Sequence, residues 1–266
     1  MNLRELIDTV RAEGYSQANA EARVCQDIVL KAIDLSAFSD HITVKGGVVM
    51  RSITGDSRRA TQDMDLDFIR YSLGEDSIRS FVSKLNCLPG ISIQVTGPIE
   101  ELSQQEYHGK RVFIVITDDT GYALRSKIDL GVHKQVQIEQ DEYCFDVCMD
   151  NEGASLLINS REQIFTEKLR SLLRFGPLST RFKDIFDMAY LSDHLDRHRL
   201  MKYIDAYILS DPGMRENDMD AIRTRVQRTF ADRPYRQRLE RSRSSNWMGT
   251  TVNNALSQIT EFLNSL

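Results

Sequence analysis

Apolar and polar residues follow two different periods along this chain. Over residues 63–69 they alternate, so that Met64, Leu66 and Phe68 share one face of a strand. Further strand-length apolar segments follow at residues 91–96, 112–117 and 122–130. The first forty residues and those after residue 150 instead repeat apolar residues at helical spacing. The pattern predicts an α+β fold, with a mixed domain over residues 1–152 and a helical domain over residues 153–266.

The bulk composition is that of an ordinary globular protein. Of the 266 residues, 41% are hydrophobic and 27% are charged. Apolar runs stay well short of the roughly 18 residues that suggest a membrane span, and the first residues lack the apolar core of a secretory signal. We therefore expect a cytoplasmic protein with no membrane association. The four cysteines lack the spacing of zinc or redox motifs, so we expect all four to be small buried residues.

Two consecutive glycines, Gly46 and Gly47, separate a short apolar strand from a short helix at residues 48–53. A helix that begins on glycine presents backbone N–H groups and the positive end of its dipole, and both attract phosphate. Arg51 and Arg59 flank the glycines and are candidates to contact outer phosphate oxygens. The alternatives are a simple turn for the glycines and surface positions for the arginines.

Three aspartates are candidate metal ligands. Asp63 and Asp65 lie on the polar face of one strand, with Cα atoms roughly 6.5–7 Å apart. Asp129 lies beside Lys127 on the polar face of another strand, where it joins the pair if the two strands are neighbours. Carboxylate oxygens are the ligands that Mg²⁺ prefers, and three of them can hold two metal ions about 3.5–4 Å apart. The alternative is that these aspartates belong to solvated strand faces.

Several motifs, taken in their order along the chain, resemble those of a known protein family. KGGVVMR, RRATQDMDLDF and SKIDL are similar to the nucleotidyltransferase fold shared with polymerase β, and they look most like the AbiEii/AbiGii toxin family of abortive-infection and type IV toxin–antitoxin systems. The segment REQIFTEKLRSLLRFGPLSTRFKDIFDM carries the matching signature in the helical half. The resemblance implies a polymerase β-like mixed sheet with flanking helices, followed by a helical domain that completes the active site.

The resemblance also implies two site residues in the helical half, Lys168 and Asp184. Lys168 would contact phosphates and Asp184 would complete the catalytic set with Asp63 and Asp65. Asp187 lies one helical turn after Asp184, so the two carboxylates could together fix a lysine. Members of the family often have Arg directly before this aspartate, whereas this chain has Lys there.

A basic segment lies outside these motifs. Residues 223–243 contain eight arginines and two acidic residues, a local net charge of +6 in a chain of net charge −5. The segment is either a solvated helix face or a surface that contacts an RNA backbone.

These observations predict a Mg²⁺-dependent nucleotidyltransferase toxin, with two metal ions and Mn²⁺ as a substitute. It would transfer a nucleoside monophosphate from an NTP to an acceptor hydroxyl and release pyrophosphate. The resemblance implies the 3′ end of tRNA as acceptor and a cognate antitoxin as partner. The alternatives are transfer to a small molecule or a protein, and a pseudo-enzyme that binds nucleotide or RNA without catalysis.

Overall fold

The computed structural model describes residues 1–102, 109–133 and 140–266, which form two compact units, Met1–Asn159 and Ser160–Leu266. The first unit is mixed α+β and the second is helical, which confirms the predicted fold class. The division falls later than the predicted position after residue 152. The reason is that residues 154–158, assigned to the helical half from the sequence, form a further strand of the sheet.

The first unit contains four helices and eight strands within its described residues. The helices are α1 (Leu3–Ala12), α2 (Gln17–Asp34), α3 (Gly46–Thr54) and α4 (Glu75–Lys84). The strands are β1 (Ile42–Lys45), β2 (Met64–Phe68), β3 (Ile91–Val95), β4 (Glu100–Leu102), β5 (Gly109–Asp118), β6 (Ala123–Val132), β7 (Asp141–Phe145) and β8 (Ala154–Ile158).

All eight strands belong to one sheet, in the order β3-β5-β6-β2-β1-β8-β7, with β4 also paired to β5. Strand β2 lies at the centre, parallel to β6 and antiparallel to β1. The only other parallel pair among the described residues is β1 with β8. The two strands that carry the predicted metal ligands, β2 and β6, are therefore direct neighbours.

The two faces of the sheet differ sharply in polarity. On one face, Val44, Leu66 and Leu130 are in register across β1, β2 and β6, and all three are fully buried. Helix α2 is buried along most of its length and contributes to this core. Ser16 caps the helix, since its side chain accepts a hydrogen bond from the backbone N–H of Asn19. The opposite face of the central strands carries the charged residues described below.

The second unit is built from helices around an apolar core. Its helices are α5 (Arg161–Phe175), α6 (Phe182–Ser192), α7 (Arg197–Ile204), α8 (Met219–Ala231), α9 (Arg233–Arg241) and α10 (Val252–Asn264), and a π-helical turn at Asp205–Leu209 follows α7. The apolar residues that recur at helical spacing on α5 are buried, with Phe165, Leu169 and Leu172 at most 3% exposed. Helix α9 was not predicted, since its apolar side consists only of Tyr235 and Leu239. Asp232 caps the helix, and proline lies in its first turn.

Within the described residues, no helix combines the length and the apolar character that a membrane crossing requires. The cysteines are all free, and Cys25 is buried as predicted. The prediction is wrong for Cys87 and Cys144, which are exposed. Cys144 lies on β7, an edge strand of the sheet, and Cys87 lies just after the end of α4, so neither position is covered on all sides.

Candidate active site

Four charged residues lie side by side across the polar face of the central strands. Lys45 of β1 is in register with Asp65 of β2, Asp65 with Asp129 of β6, and Asp129 with Arg111 of β5. We call this set the charged row. Its order places two carboxylates between two cations, on strands about 4.8 Å apart. The predicted convergence of Asp65 and Asp129 is thus a consequence of the β2–β6 register.

Asp65 is the most perturbed member of the charged row. Burial raises the pKa of its carboxyl group to about 6, and the negative charges of Asp129, Asp63 and Asp67 add to the rise, while Lys45 opposes it. Burial and the neighbouring negative charges therefore destabilise the ionised form of Asp65. A bound cation would stabilise that form.

The other two predicted metal ligands hold ion pairs. Asp129 is buried and accepts two hydrogen bonds of 2.7 Å from Arg111, from Nε and from Nη2. Asp63 is more exposed, and its Oδ1 lies 2.8 Å from Nζ of Lys127. The oxygen donors suit Mg²⁺. Across the ranges 1–102, 109–133 and 140–266, however, no three His, Cys, Asp or Glu side chains are already arranged to hold a metal ion.

Asp67, which continues the alternation of β2, also belongs to this face. Its Oδ1 lies 2.7 Å from Nζ of Lys45, the residue that begins the charged row. A methyl group at the neighbouring Gly131 would lie 2.1 Å from the same oxygen. Gly131 thus provides the space in which the Lys45–Asp67 pair forms.

The two glycines begin helix α3, as the strand–glycine–helix pattern predicted. Gly46 has φ +67°, and an added Cβ would lie 2.5 Å from Oδ2 of Asp65. At Gly47, an added Cβ would lie 2.5 Å from Oγ1 of Thr61. Glycine is therefore required at both positions by the close approach of neighbouring side chains. The start of α3 has no side-chain cap, because Lys45 makes no capping hydrogen bond.

The two arginines predicted to contact phosphates lie in the interior. Arg51 is 4% exposed, and its Nη2 donates to Oδ1 of the fully buried Asp27 at 2.8 Å. Asp27 also accepts from the backbone N–H of Cys148 at 3.1 Å and from Nε of Arg23 at 3.4 Å. Arg59 is 3% exposed. The burial of Arg51 and its pair with Asp27 favour a structural role for this side chain in this conformation, and its predicted phosphate contact stays a prediction.

In the second unit, Lys168 of α5 lies between two carboxylates of α6. Its Nζ is 2.5 Å from Oδ1 of Asp184 and 2.9 Å from Oδ2 of Asp187. Asp187 is fully buried, and Nη1 of Arg181 lies 3.9 Å from Oδ2 of Asp184. We call Lys168, Asp184 and Asp187 the lysine cluster. The i, i+3 spacing of the two aspartates presents both to one lysine, as the sequence suggested.

Two aromatic residues next to the lysine cluster were not predicted. Tyr235 of α9 is fully buried; burial raises the pKa of its phenol, and the negative charge of Asp184 adds to the rise. Trp247 is 5% exposed, and its indole Nε1 donates to Oδ1 of Asp187 at 2.9 Å. Neither belongs to a periodic pattern or a motif, so no signal in one sequence marks them.

Comparison with known proteins decides the family. The model of the nucleotidyl transferase AbiEii toxin family, of type IV toxin–antitoxin systems, matches residues 28–247. The chain belongs to this family. Since members of the AbiEii family are nucleotidyltransferases, the chain is an enzyme of that class, and family membership implies a nucleotide substrate and an antitoxin partner.

One solved structure shares the fold over nearly the whole chain. A protein from H. pylori assigned to the nucleotidyltransferases superposes with a TM-score of 0.53 at 14% identity, over 94% of each chain. An antigenic nucleotidyltransferase-like protein from Paracoccidioides brasiliensis has a TM-score of 0.49 at 14% identity, over 82% of this chain and 92% of that one. No curated protein matches the chain.

Proposed function

We propose that this AbiEii-family enzyme transfers a nucleoside monophosphate from an NTP to the 3′ hydroxyl of a tRNA in a Mg²⁺-dependent reaction. The acceptor oxygen bonds to the α-phosphorus, the bond from that phosphorus to the β-phosphate oxygen breaks, and pyrophosphate leaves with release of the hydroxyl proton. The observation that carries the proposal is the pair of adjacent carboxylates, Asp65 and Asp129, in the middle of the charged row.

Asp63, Asp65 and Asp129 would hold the Mg²⁺ ions through carboxylate oxygens. When bound, Mg²⁺ would offset the charge of the triphosphate and favour ionisation of the attacking hydroxyl. Lys127 and Arg111 form ion pairs with two of these carboxylates, Asp63 and Asp129. These pairs reduce the repulsion between the carboxylates before Mg²⁺ binds.

Phosphate contacts are assigned to two further features. The uncapped N–H groups at the start of α3, at Gly46 and Gly47, attract anions through the helix dipole. Lys168 is the candidate phosphate contact of the second unit, where two carboxylates hold its ammonium in place. Arg51 is left out of the proposal because of its pair with Asp27.

An RNA acceptor is supported by the distribution of charge. The second unit carries 18 Lys and Arg against 14 Asp and Glu, a net charge of +4, while the first unit has a net charge of −9. On α8 and α9, Arg228, Arg233 and Arg241 are exposed. Arg238 is exposed as well, but it donates to the carbonyl of Pro177, and Arg225 donates to the carbonyl of Leu173. Arg228, Arg233 and Arg241 are therefore the residues proposed to contact RNA phosphates.

Labelling tests the reaction. Purified protein is incubated with each NTP labelled at the α-phosphate, Mg²⁺ and total RNA, and we expect label in the tRNA fraction with one or a few of the NTPs. Periodate oxidation of the RNA beforehand should abolish labelling, because it destroys the 3′-terminal diol. Asp65→Ala should also abolish it. Labelling that survives periodate, or transfer only to a small molecule, would contradict the proposed acceptor.

A triple substitution, measured over a range of salt concentrations, tests the proposed RNA surface separately from the reaction. Replacing Arg228, Arg233 and Arg241 together with Gln should weaken RNA binding. The dependence of log affinity on log salt should flatten by roughly 0.7–0.9 for each phosphate that the protein no longer binds. NTP affinity should not change.

The matched control replaces three exposed basic residues of the first unit, Arg70, Arg79 and Arg125, with Gln. This control makes the same change in net charge and should leave RNA affinity within about twofold of wild type. Equal decreases in RNA affinity for the two triple variants would show a net-charge effect and remove the surface from the proposal.

A further inference from the structure

Trp247 lies in a turn that the side chain of Asn246 stabilises. The side chain of Asn246 closes this turn: its Nδ2 donates to the carbonyl of Thr250 at 2.7 Å, and its Oδ1 accepts from the N–H of Gly249 at 3.1 Å. The indole ring packs against Tyr190 of α6, with ring centroids 5.6 Å apart. The turn thus restrains the backbone next to Trp247, while the ring itself contacts α6.

The indole N–H is directed at the lysine cluster. It donates to Oδ1 of Asp187 at 2.9 Å, while Oδ2 of the same carboxylate lies 2.9 Å from Nζ of Lys168. Asp187 is fully buried. A carboxylate that is bonded at each oxygen has little freedom to rotate, so the direction in which it presents Oδ2 to Lys168 depends on Trp247.

Lys168 needs such a restraint because it has two competing acceptors. Asp184, one turn earlier on α6, is partly exposed and also pairs with the ammonium. Without a fixed Asp187, the flexible lysine stem can follow the more exposed carboxylate. A hydrogen bond to a charged group is also among the stronger ones in proteins.

We propose that Trp247 is a positioning residue for nucleotidyl transfer, which acts by fixing Asp187 and, through it, the ammonium group of Lys168. The inference rests on the proposed role of Lys168 in the reaction. It gives a function to the last residue of the segment that matches the AbiEii family.

The chain contains a single tryptophan, so the contact can be observed directly. In protein labelled with ¹⁵N at tryptophan, the one indole N–H resonance should be protected from solvent exchange, and Asp187→Asn should shift it and speed its exchange. A resonance unaffected by Asp187→Asn would show that the hydrogen bond does not form, and would overturn the proposal.

Steady-state kinetics test the positioning role. Trp247→Phe keeps an aromatic ring but removes the N–H, and should lower kcat/KM for the NTP by about 10-fold, the scale of one hydrogen bond to a charged group. In a Lys168→Ala background the same change should lower kcat/KM by less than about twofold, because the group it positions is already gone. Equal decreases in the two backgrounds, or wild-type kinetics in Trp247→Phe, would overturn the proposal.

Two controls separate positioning from general stability. Thr229→Val removes a partly buried hydrogen bond of 3.0 Å to the carbonyl of Arg225, elsewhere in the same unit, and should lower the melting temperature without changing kcat/KM. If Trp247→Phe does not fold, 3-benzothienylalanine at position 247 preserves the ring size without the N–H and serves in its place.

The kcat/KM of Lys168→Ala distinguishes a failure of the proposed Lys168 role from a failure of the Trp247 role alone. If Lys168→Ala has wild-type kcat/KM, the proposed role of Lys168 fails and the positioning role of Trp247 fails with it. The indole resonance still shows in that case whether the Trp247–Asp187 hydrogen bond exists.

Discussion

The buried pair of Arg51 and Asp27 gives the sharpest test of a structural role against a nucleotide-binding one. Arg51→Met leaves the fully buried Asp27 with a weaker set of partners, Arg23 at 3.4 Å and the backbone N–H of Cys148. Removing one partner of a buried ion pair typically costs about 3–5 kcal/mol, because the other charge is left uncompensated. We expect the unfolding free energy to fall by an amount near the lower end, about 3 kcal/mol, since Arg23 remains.

A double variant tests whether the loss of stability comes from the uncompensated charge of Asp27. Asp27→Asn together with Arg51→Met removes both charges and keeps an acceptor for the backbone N–H of Cys148. Replacing a buried pair by neutral groups is often close to neutral. The double variant should therefore recover at least half of the stability that the single variant loses.

Urea denaturation at fixed pH measures the stabilities, and binding of a labelled NTP in Mg²⁺ measures nucleotide affinity. We expect the double variant to bind NTP within about threefold of wild type, because Arg51 is 4% exposed and its Nη2 is bound to Asp27. A stable Arg51→Met variant whose NTP affinity falls tenfold would refute this reasoning. It would restore Arg51 as a phosphate ligand.

Three further predictions follow from single contacts. Asp65→Asn should raise the unfolding free energy by up to about 3 kcal/mol at pH 8 and leave it unchanged near pH 3. The reason is that folding raises the pKa of the Asp65 carboxyl from 3.8 to about 6. The native wild-type protein therefore binds extra protons between these values and loses stability as pH rises through them. Urea titrations at the two pH values check this, and an equal gain at both would contradict it. Gly131→Ala should destabilise the protein by about 1–3 kcal/mol, since the new methyl group would lie 2.1 Å from Asp67 Oδ1; an unchanged thermal midpoint would refute that clash. A thiol reagent should modify exposed Cys87 in the native protein and Cys25 only after unfolding, because burial raises the pKa of the Cys25 thiol to about 12; equal rates would show that Cys25 is accessible.

Local pattern was sufficient to predict much of the fold. The alternation in residues 63–69 predicted β2 with its aspartates on one face, and the structure places Met64, Leu66 and Phe68 in the core. Serine is among the residues that favour helix N-caps, and Ser16 caps α2. These features depend on residues close together in the chain, where periodicity and capping act.

What the sequence did not reveal depends on contacts between distant residues. The strand β8 is short and apolar, and only its parallel pairing with β1 identifies it as part of the sheet. The burial of Arg51 follows from Asp27 on another helix, and an arginine near a glycine turn looks the same in sequence whether it faces solvent or a buried acid. Trp247 is related to Lys168 only through the packing of the helical unit.

The parallel pairings of the central strands also set the order in which the protein can be made and folded. Strands β1 and β2 leave the ribosome early, but their parallel neighbours β8 and β6 come much later in the chain. At typical synthesis rates the delay is on the order of ten seconds. During that time one backbone edge of β1 and one of β2 lack their hydrogen-bonding partners and are open to chaperones or to aggregation. If Asp65 and Asp129 act together as proposed, the nascent toxin is inactive until Asp129 has been synthesised and has taken its place in register with Asp65.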